Sequence, residues 1–240
     1  MAHLGEERAG RRPLDDLKAI RANFGTTVND VVLAASTGGI RRLLEQRAEP
    51  TVRLKAMVPV NVRKPEEHGG NRISFMFVDL PCDEPDPVRR LRAIHGDTTE
   101  RKSEGESHWV DDILGAIGYF PQPVRDAVSH VMASPLLFNL TVSNIPGPRF
   151  PVYMAGAKLR EAYPVVPLAE GHNLSIGMFS YRDWMHFGLY ADPESLPEVR
   201  RLPGALERAL WELRGHRPHG VRRRRFTRTK PRVRHLAAVS

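Results

Sequence analysis

Residues 26–47 read Thr26-Thr27-Val28-Asn29-Asp30-Val31-Val32-Leu33-Ala34-Ala35-Ser36-Thr37-Gly38-Gly39-Ile40-Arg41-Arg42-Leu43-Leu44-Glu45-Gln46-Arg47. Apolar residues at 28, 31, 32, 35, 40, 43 and 44 recur close to the 3.6-residue period of an α-helix. A threonine stands at the N-cap position and Asp30 falls in the first turn, where a carboxylate meets free backbone N–H groups. The stretch predicts one long, largely buried helix. A shorter amphipathic segment at 14–24 precedes it and stops at Gly25, a residue suited to a helix C-terminus. Residues 1–13 open with Glu6, Glu7, Arg8, Arg11 and Arg12 and are expected to be disordered.

Downstream, 52–62 and 73–80 are rich in β-branched, aromatic and aliphatic residues and predict strands, separated by a charged, glycine-bearing segment at 63–71. Helical composition returns at 87–102 and at 109–132, the latter interrupted by Pro121 and Pro123. A third strand is expected at 137–143, running into the turn residues Pro146, Gly147 and Pro148. An extended segment follows at 151–159. A hairpin with arms at 174–181 and 185–190 is predicted, with Arg182, Asp183 and Trp184 as its turn. A helix at 198–214 closes the body, its start delayed by Pro203 and Gly204. The order is mixed α/β, one domain over 14–214.

The chain has 240 residues, 41% of them hydrophobic, which is enough to bury a core. Its formal charge of +8 comes from one place. Residues 214–240 hold ten Lys and Arg and no acid, leaving 26 basic against 28 acidic residues in the body. That composition gives no basic face for specific nucleic-acid binding. A tail at 215–240 is expected to be disordered, for lack of apolar surface; the same Arg, Pro, His and Gly wording arises when GC-rich coding DNA is read in a shifted frame. Cys82 is the single cysteine, which excludes an internal disulfide and fits a reducing, cytoplasmic setting. No apolar run reaches the length of a membrane span, so membrane or lipid-inclusion contact is expected to be peripheral.

Several phrases occur in a telling order: Asn29 to Ala34, then Val58-Pro59-Val60-Asn61-Val62-Arg63, then Gly70-Asn71, then Ser143-Asn144-Ile145-Pro146-Gly147-Pro148. Leu174-Ser175-Ile176, Ser180-Tyr181, Phe187-Gly188 and Ala191-Asp192 complete the series. Over residues 14–214 it resembles the C-terminal domain of the bacterial wax ester synthase/diacylglycerol acyltransferase family. The resemblance implies the C-terminal half of a fold like that of chloramphenicol acetyltransferase, a mixed β-sheet flanked by helices, in which two halves enclose a tunnel. It also implies fatty acyl transfer from acyl-CoA, a co-substrate and not a bound cofactor, to diacylglycerol or a long-chain alcohol.

Acyl transfer from a thioester to a hydroxyl needs a base for the alcohol proton and donors for the developing oxyanion. By the resemblance, the base is a histidine of a His-His-x-x-x-Asp-Gly motif in the N-terminal half. This sequence holds no adjacent histidine pair. It is therefore expected to start after that motif and to be inactive unless a separate N-terminal half supplies the histidine. An exposed interface and self-association are expected of the isolated half. His108 and Asp112 have the spacing His-x-x-x-Asp, but Ser107 and Ile113 replace the flanking histidine and glycine, and a surface helix pair explains them. Asn29 and Asp30 line the tunnel, cap the helix or do both, and these readings remain open. The loop from Ser143 through Asn144, Pro146, Gly147 and Pro148 reads as scaffold near the junction of the halves, with direct substrate contact as the alternative. His172 reads as a satisfied polar residue at a strand start. Phe75, Met76 and Phe77 read as core. No phosphate loop, dinucleotide fingerprint, nucleophile elbow or metal spacing is present. A non-catalytic lipid-binding or remnant module is the rival reading.

Overall fold

The computed structural model describes residues 6–61, 73–103, 121–122 and 134–216. Among them, six strands form a mixed sheet: β1 (Glu6–Pro13), β2 (Arg53–Asn61), β3 (Ile73–Pro81), β4 (Leu140–Pro146), β7 (Leu174–Tyr181) and β8 (Trp184–Ala191), in the order β1-β8-β7-β4-β2-β3. The central pairs β4–β7 and β2–β4 are parallel, and the outer pairs are antiparallel. A separate two-stranded ribbon, β5 (Tyr153–Met154) with β6 (Ala157–Lys158), follows β4.

Four α-helices among the described residues pack against the sheet: α1 (Leu14–Phe24), α2 (Val28–Gln46), α3 (Pro87–Ser103) and α4 (Leu202–Gly215). As the spacing predicts, α1 ends at Gly25 in the left-handed conformation, φ 69°. Thr27 caps α2, and twelve of its residues are buried, so it is the central helix. Asp86 caps α3, its carboxylate accepting from the N–H groups of Val88 and Arg89 at 2.8 Å each. One apolar core joins Val31, Val32 and Leu33 of α2 to Val58, Met76, Val142, Ile176 and Leu189 of the sheet. Each such side chain contributes roughly 1.5–3 kcal/mol when fully buried.

The strands alternate as a two-residue period requires. Val142, Ile176, Met178 and Phe187 face the helices, while the intervening Ser143, Ser175, Gly177, His186 and Gly188 face a covering segment at 159–170. Ser175 Oγ donates to the Val166 carbonyl of that segment.

Several expectations need correction. Residues 6–13 are a strand, not a disordered lead. Their polar composition hides them because β1 is an edge strand, paired on one side only with β8. The strand expected at 137–143 lies at Leu140–Pro146, since Ser134 to Leu137 form a turn, Leu137 N–H donating to Ser134 O at 2.9 Å. Pro146 is tolerated at its end because β2 pairs only with Leu140 and Thr141, leaving the proline no lost ladder bond on that side. The hairpin turn is two residues, Arg182 and Asp183; Trp184 already pairs with Tyr181, and Arg182 takes a positive φ of 54°. The closing helix begins as a 3-10 turn, Pro197–Arg201, with Pro203 in the first turn of α4. The helix expected at 109–132, with His108 and Asp112, and the tail beyond 216 lie outside the described residues.

Candidate functional site

The parallel strands β4 and β7 end side by side, and crevices outside the carboxyl ends of such strands are where open α/β sheets present ligands. A groove of about 650 Å³ opens there, lined by Lys18 and Arg21 of α1, Val28 of α2, Asn144 and Pro146 of β4, and Arg149 and Ser180. The described part of the Ser143 to Pro148 loop thus forms one wall of a groove. Ser143 itself is buried in the sheet opposite Gly177. Asn144 is half-buried and faces the groove.

Gly147 is fixed by close approach: a Cβ there would collide with the Ser180 carbonyl oxygen and stand 2.5 Å from Phe179 Cζ. Its N–H donates to Ser180 Oγ at 3.0 Å, and the Pro148 carbonyl accepts from Arg182 N–H at 2.9 Å. The loop is clamped to the end of β7, which holds Asn144 in place.

Asp30 has no exposed surface. It completes a capping box, accepting from Thr27 N–H at 2.8 Å while its own N–H donates to Thr27 Oγ1 at 3.1 Å. It also reaches α3. Thr98 Oγ1 donates to Oδ1 and His95 Nδ1 meets Oδ2, both at 2.8 Å. Burial pulls the carboxyl pKa up, but the hydrogen bonds from Thr27, Thr98 and His95 outweigh it, and the pKa lies below the ordinary carboxylate value. Asp30 is thus a buried anion that caps α2 and joins it to α3. Asn29 is half-buried and has no hydrogen-bond partner among the described residues. The sequence reading missed His95 and Thr98 as partners. Their i, i+3 spacing on α3 was visible; that this face meets residue 30 was not.

An aspartate-oriented histidine has the form of a general-base pair. The second ring nitrogen of His95, however, has no hydrogen-bond partner among the described residues, and the residue does not line the groove.

His172 is satisfied: its ring nitrogens lie 3.0 Å from the carbonyl oxygens of Glu170 and Phe138, and it stacks on the Phe138 ring. Met76 is in the core, whereas Phe75 and Phe77 are only partly buried. His186 is buried, with neither ring nitrogen bonded among the described residues. Among those residues no group of His, Cys, Asp and Glu is placed to hold a metal, and no helix is long and apolar enough to cross a membrane.

Comparison with known proteins agrees with this architecture. A family model described as the WS/DGAT C-terminal domain matches residues 69–214. The O-acyltransferase WSD of Acinetobacter baylyi is 35% identical over 84% of this chain and 44% of its own length. The wax ester synthase/diacylglycerol acyltransferase of Marinobacter aquaeolei superimposes with a TM-score of 0.67 and 28% identity, over 87% of this chain and 48% of its own. A PapA2 acyl transferase shares the fold alone, with a TM-score of 0.52, 10% identity, and coverage of 88% and 45%. The chain spans less than half the length of the curated relatives it matches.

Proposed function

The chain belongs to the wax ester synthase/diacylglycerol acyltransferase family, and from that premise we propose that it serves as the C-terminal half of an acyl-CoA-dependent O-acyltransferase. The observation that carries the reading is the pair of coverages: similarity runs along most of this chain but less than half of each relative.

In the proposed reaction the hydroxyl of a diacylglycerol or long-chain alcohol attacks the thioester carbonyl. A base takes the hydroxyl proton, the tetrahedral intermediate collapses, and CoA leaves as the thiol. This chain contributes walls and rigid positioning. Asn144 faces the groove and the Pro146, Gly147 and Pro148 clamp holds it, while Asp30 ties α2 to α3. The base belongs to a separate N-terminal half, since no adjacent histidine pair occurs in this sequence. Exposed Phe150, Tyr153 and Met154, on and beside the β5–β6 ribbon, support a surface that such a half covers.

Titrating the chain into the N-terminal half of the Marinobacter relative, with palmitoyl-CoA and either hexadecanol or dioleoylglycerol, tests this reading through free CoA thiol. Thiol release that rises with added chain and saturates near equimolar ratio is expected. A complex that forms without turnover at any ratio contradicts it and favours a non-catalytic lipid-binding module.

A further inference from the structure

The groove at the ends of β4 and β7 carries a charge pattern that wall-building does not require. Lys18 and Arg21 stand on one side and Arg149 on the other, and no Asp or Glu among the described residues lines it. Lys18 shares a surface pair with Asp15 at 2.8 Å, a contact readily exchanged in water. The guanidinium groups of Arg21 and Arg149 meet no carboxylate among the described residues. Other arginines on the body are paired, Arg12 with Glu207, Arg42 with Glu212, Arg47 with Glu198 and Arg214 with Asp16, while Arg90 meets backbone carbonyls alone among the described residues.

Neutral donors stand beside these cations, and Leu14, Ala22 and Met185 give the groove an apolar part. The Asn144 amide has no partner among the described residues. Ser180 Oγ accepts from Gly147 N–H and keeps its own proton to donate. The first turn of the 19-residue α2 reaches the groove through Val28; its capping box occupies the N–H groups of Thr27 and Asp30 and leaves those of Val28 and Asn29. Two guanidiniums, an ammonium and neutral N–H and O–H donors, with no acceptor carboxylate, match a multiply charged oxyanion.

We propose that this groove binds the diphosphate of a phosphorylated ligand through Arg21, Arg149 and Lys18, with Asn144 and Ser180 donating to its oxygens. Its volume of about 650 Å³ exceeds that of a diphosphate and leaves space for an attached organic group. Identifying the ligand with the CoA moiety of the acyl donor rests on the functional reading above; the anion site does not.

Isothermal titration of the full chain with inorganic pyrophosphate, CoA and pantetheine tests the proposal. Pyrophosphate and CoA are expected to bind and compete, and pantetheine to give no heat. The double variant R21E/R149E should weaken both ligands by roughly tenfold or more, while R21K/R149K keeps most of the affinity and Gln at residues 222–225 of the basic tail changes nothing. Affinity that follows the tail and not the groove, or that survives R21E/R149E in a chain with unaltered circular dichroism, overturns the site. Groove-dependent pyrophosphate binding without CoA binding upholds the anion site and removes the acyl donor from it, a result independent of whether the reconstituted halves turn over.

Discussion

Two buried polar residues on this chain behave in opposite ways. Asp30 is an anion with every contact made, and removing it takes an acceptor from three groups at once: Thr27 N–H, the Thr98 hydroxyl and the His95 ring. Asp30→Ala is expected to cost about 3 kcal/mol in denaturant unfolding, and Thr98→Val about 1 kcal/mol, because the first removes three hydrogen bonds to a buried carboxylate and the second removes one. His186 has no hydrogen bond among the described residues. Burial pushes its pKa below 6.5, with Glu161 opposing and Arg11 adding to the effect. The unfolded chain therefore takes up the proton first, so the folded form is most favoured above pH 6.5 and loses stability as pH falls from there toward the lowered folded value. His186→Phe should flatten that part of the curve of unfolding midpoint against pH; an unchanged slope would locate the acid sensitivity elsewhere. At this scale the sequence was legible only where partners are neighbours. The Thr27 and Asp30 cap is three residues wide and readable, whereas His95 and Thr98 lie 65 and 68 positions away.

At the scale of elements, apolar periodicity located α1 and α2, and composition located β2, β3 and α3, to within a residue or two. It failed where the pairing geometry decides. β1 is polar and visible only through its partner, β4 is displaced by the turn at 134–137, and Arg182 occupies a left-handed turn position that more often carries Asn or Gly. The groove was not readable, since its cations come from α1 and the segment after β4, over a hundred residues apart. The clamp at the end of β4 was readable as a rigid loop, but its cause is contact and not conformation. Gly147→Ala would drive a methyl group against the Ser180 carbonyl, so a loss of about 2–4 kcal/mol is expected, with displacement of Asn144 from the groove. Thermal melts of the Ala variant check this; a melting point within a degree or so of the parent would contradict it.

The described residues set a six-stranded sheet between a helical layer and a covering segment, and the sequence holds no adjacent histidine pair of the kind the family resemblance implies for the base. Among the described residues the buried Asp30 meets the partly exposed His95, a pair that joins α2 to α3 and stands outside the groove. On the proposed function this chain shapes and positions, and the base for acyl transfer comes from a separate N-terminal half. The direct measurement is labelled palmitoyl transfer from CoA to hexadecanol by the purified chain alone, beside its His95→Ala and His108→Ala variants. The account predicts product at the enzyme-free background for all three. Product above background that disappears in either variant would contradict it.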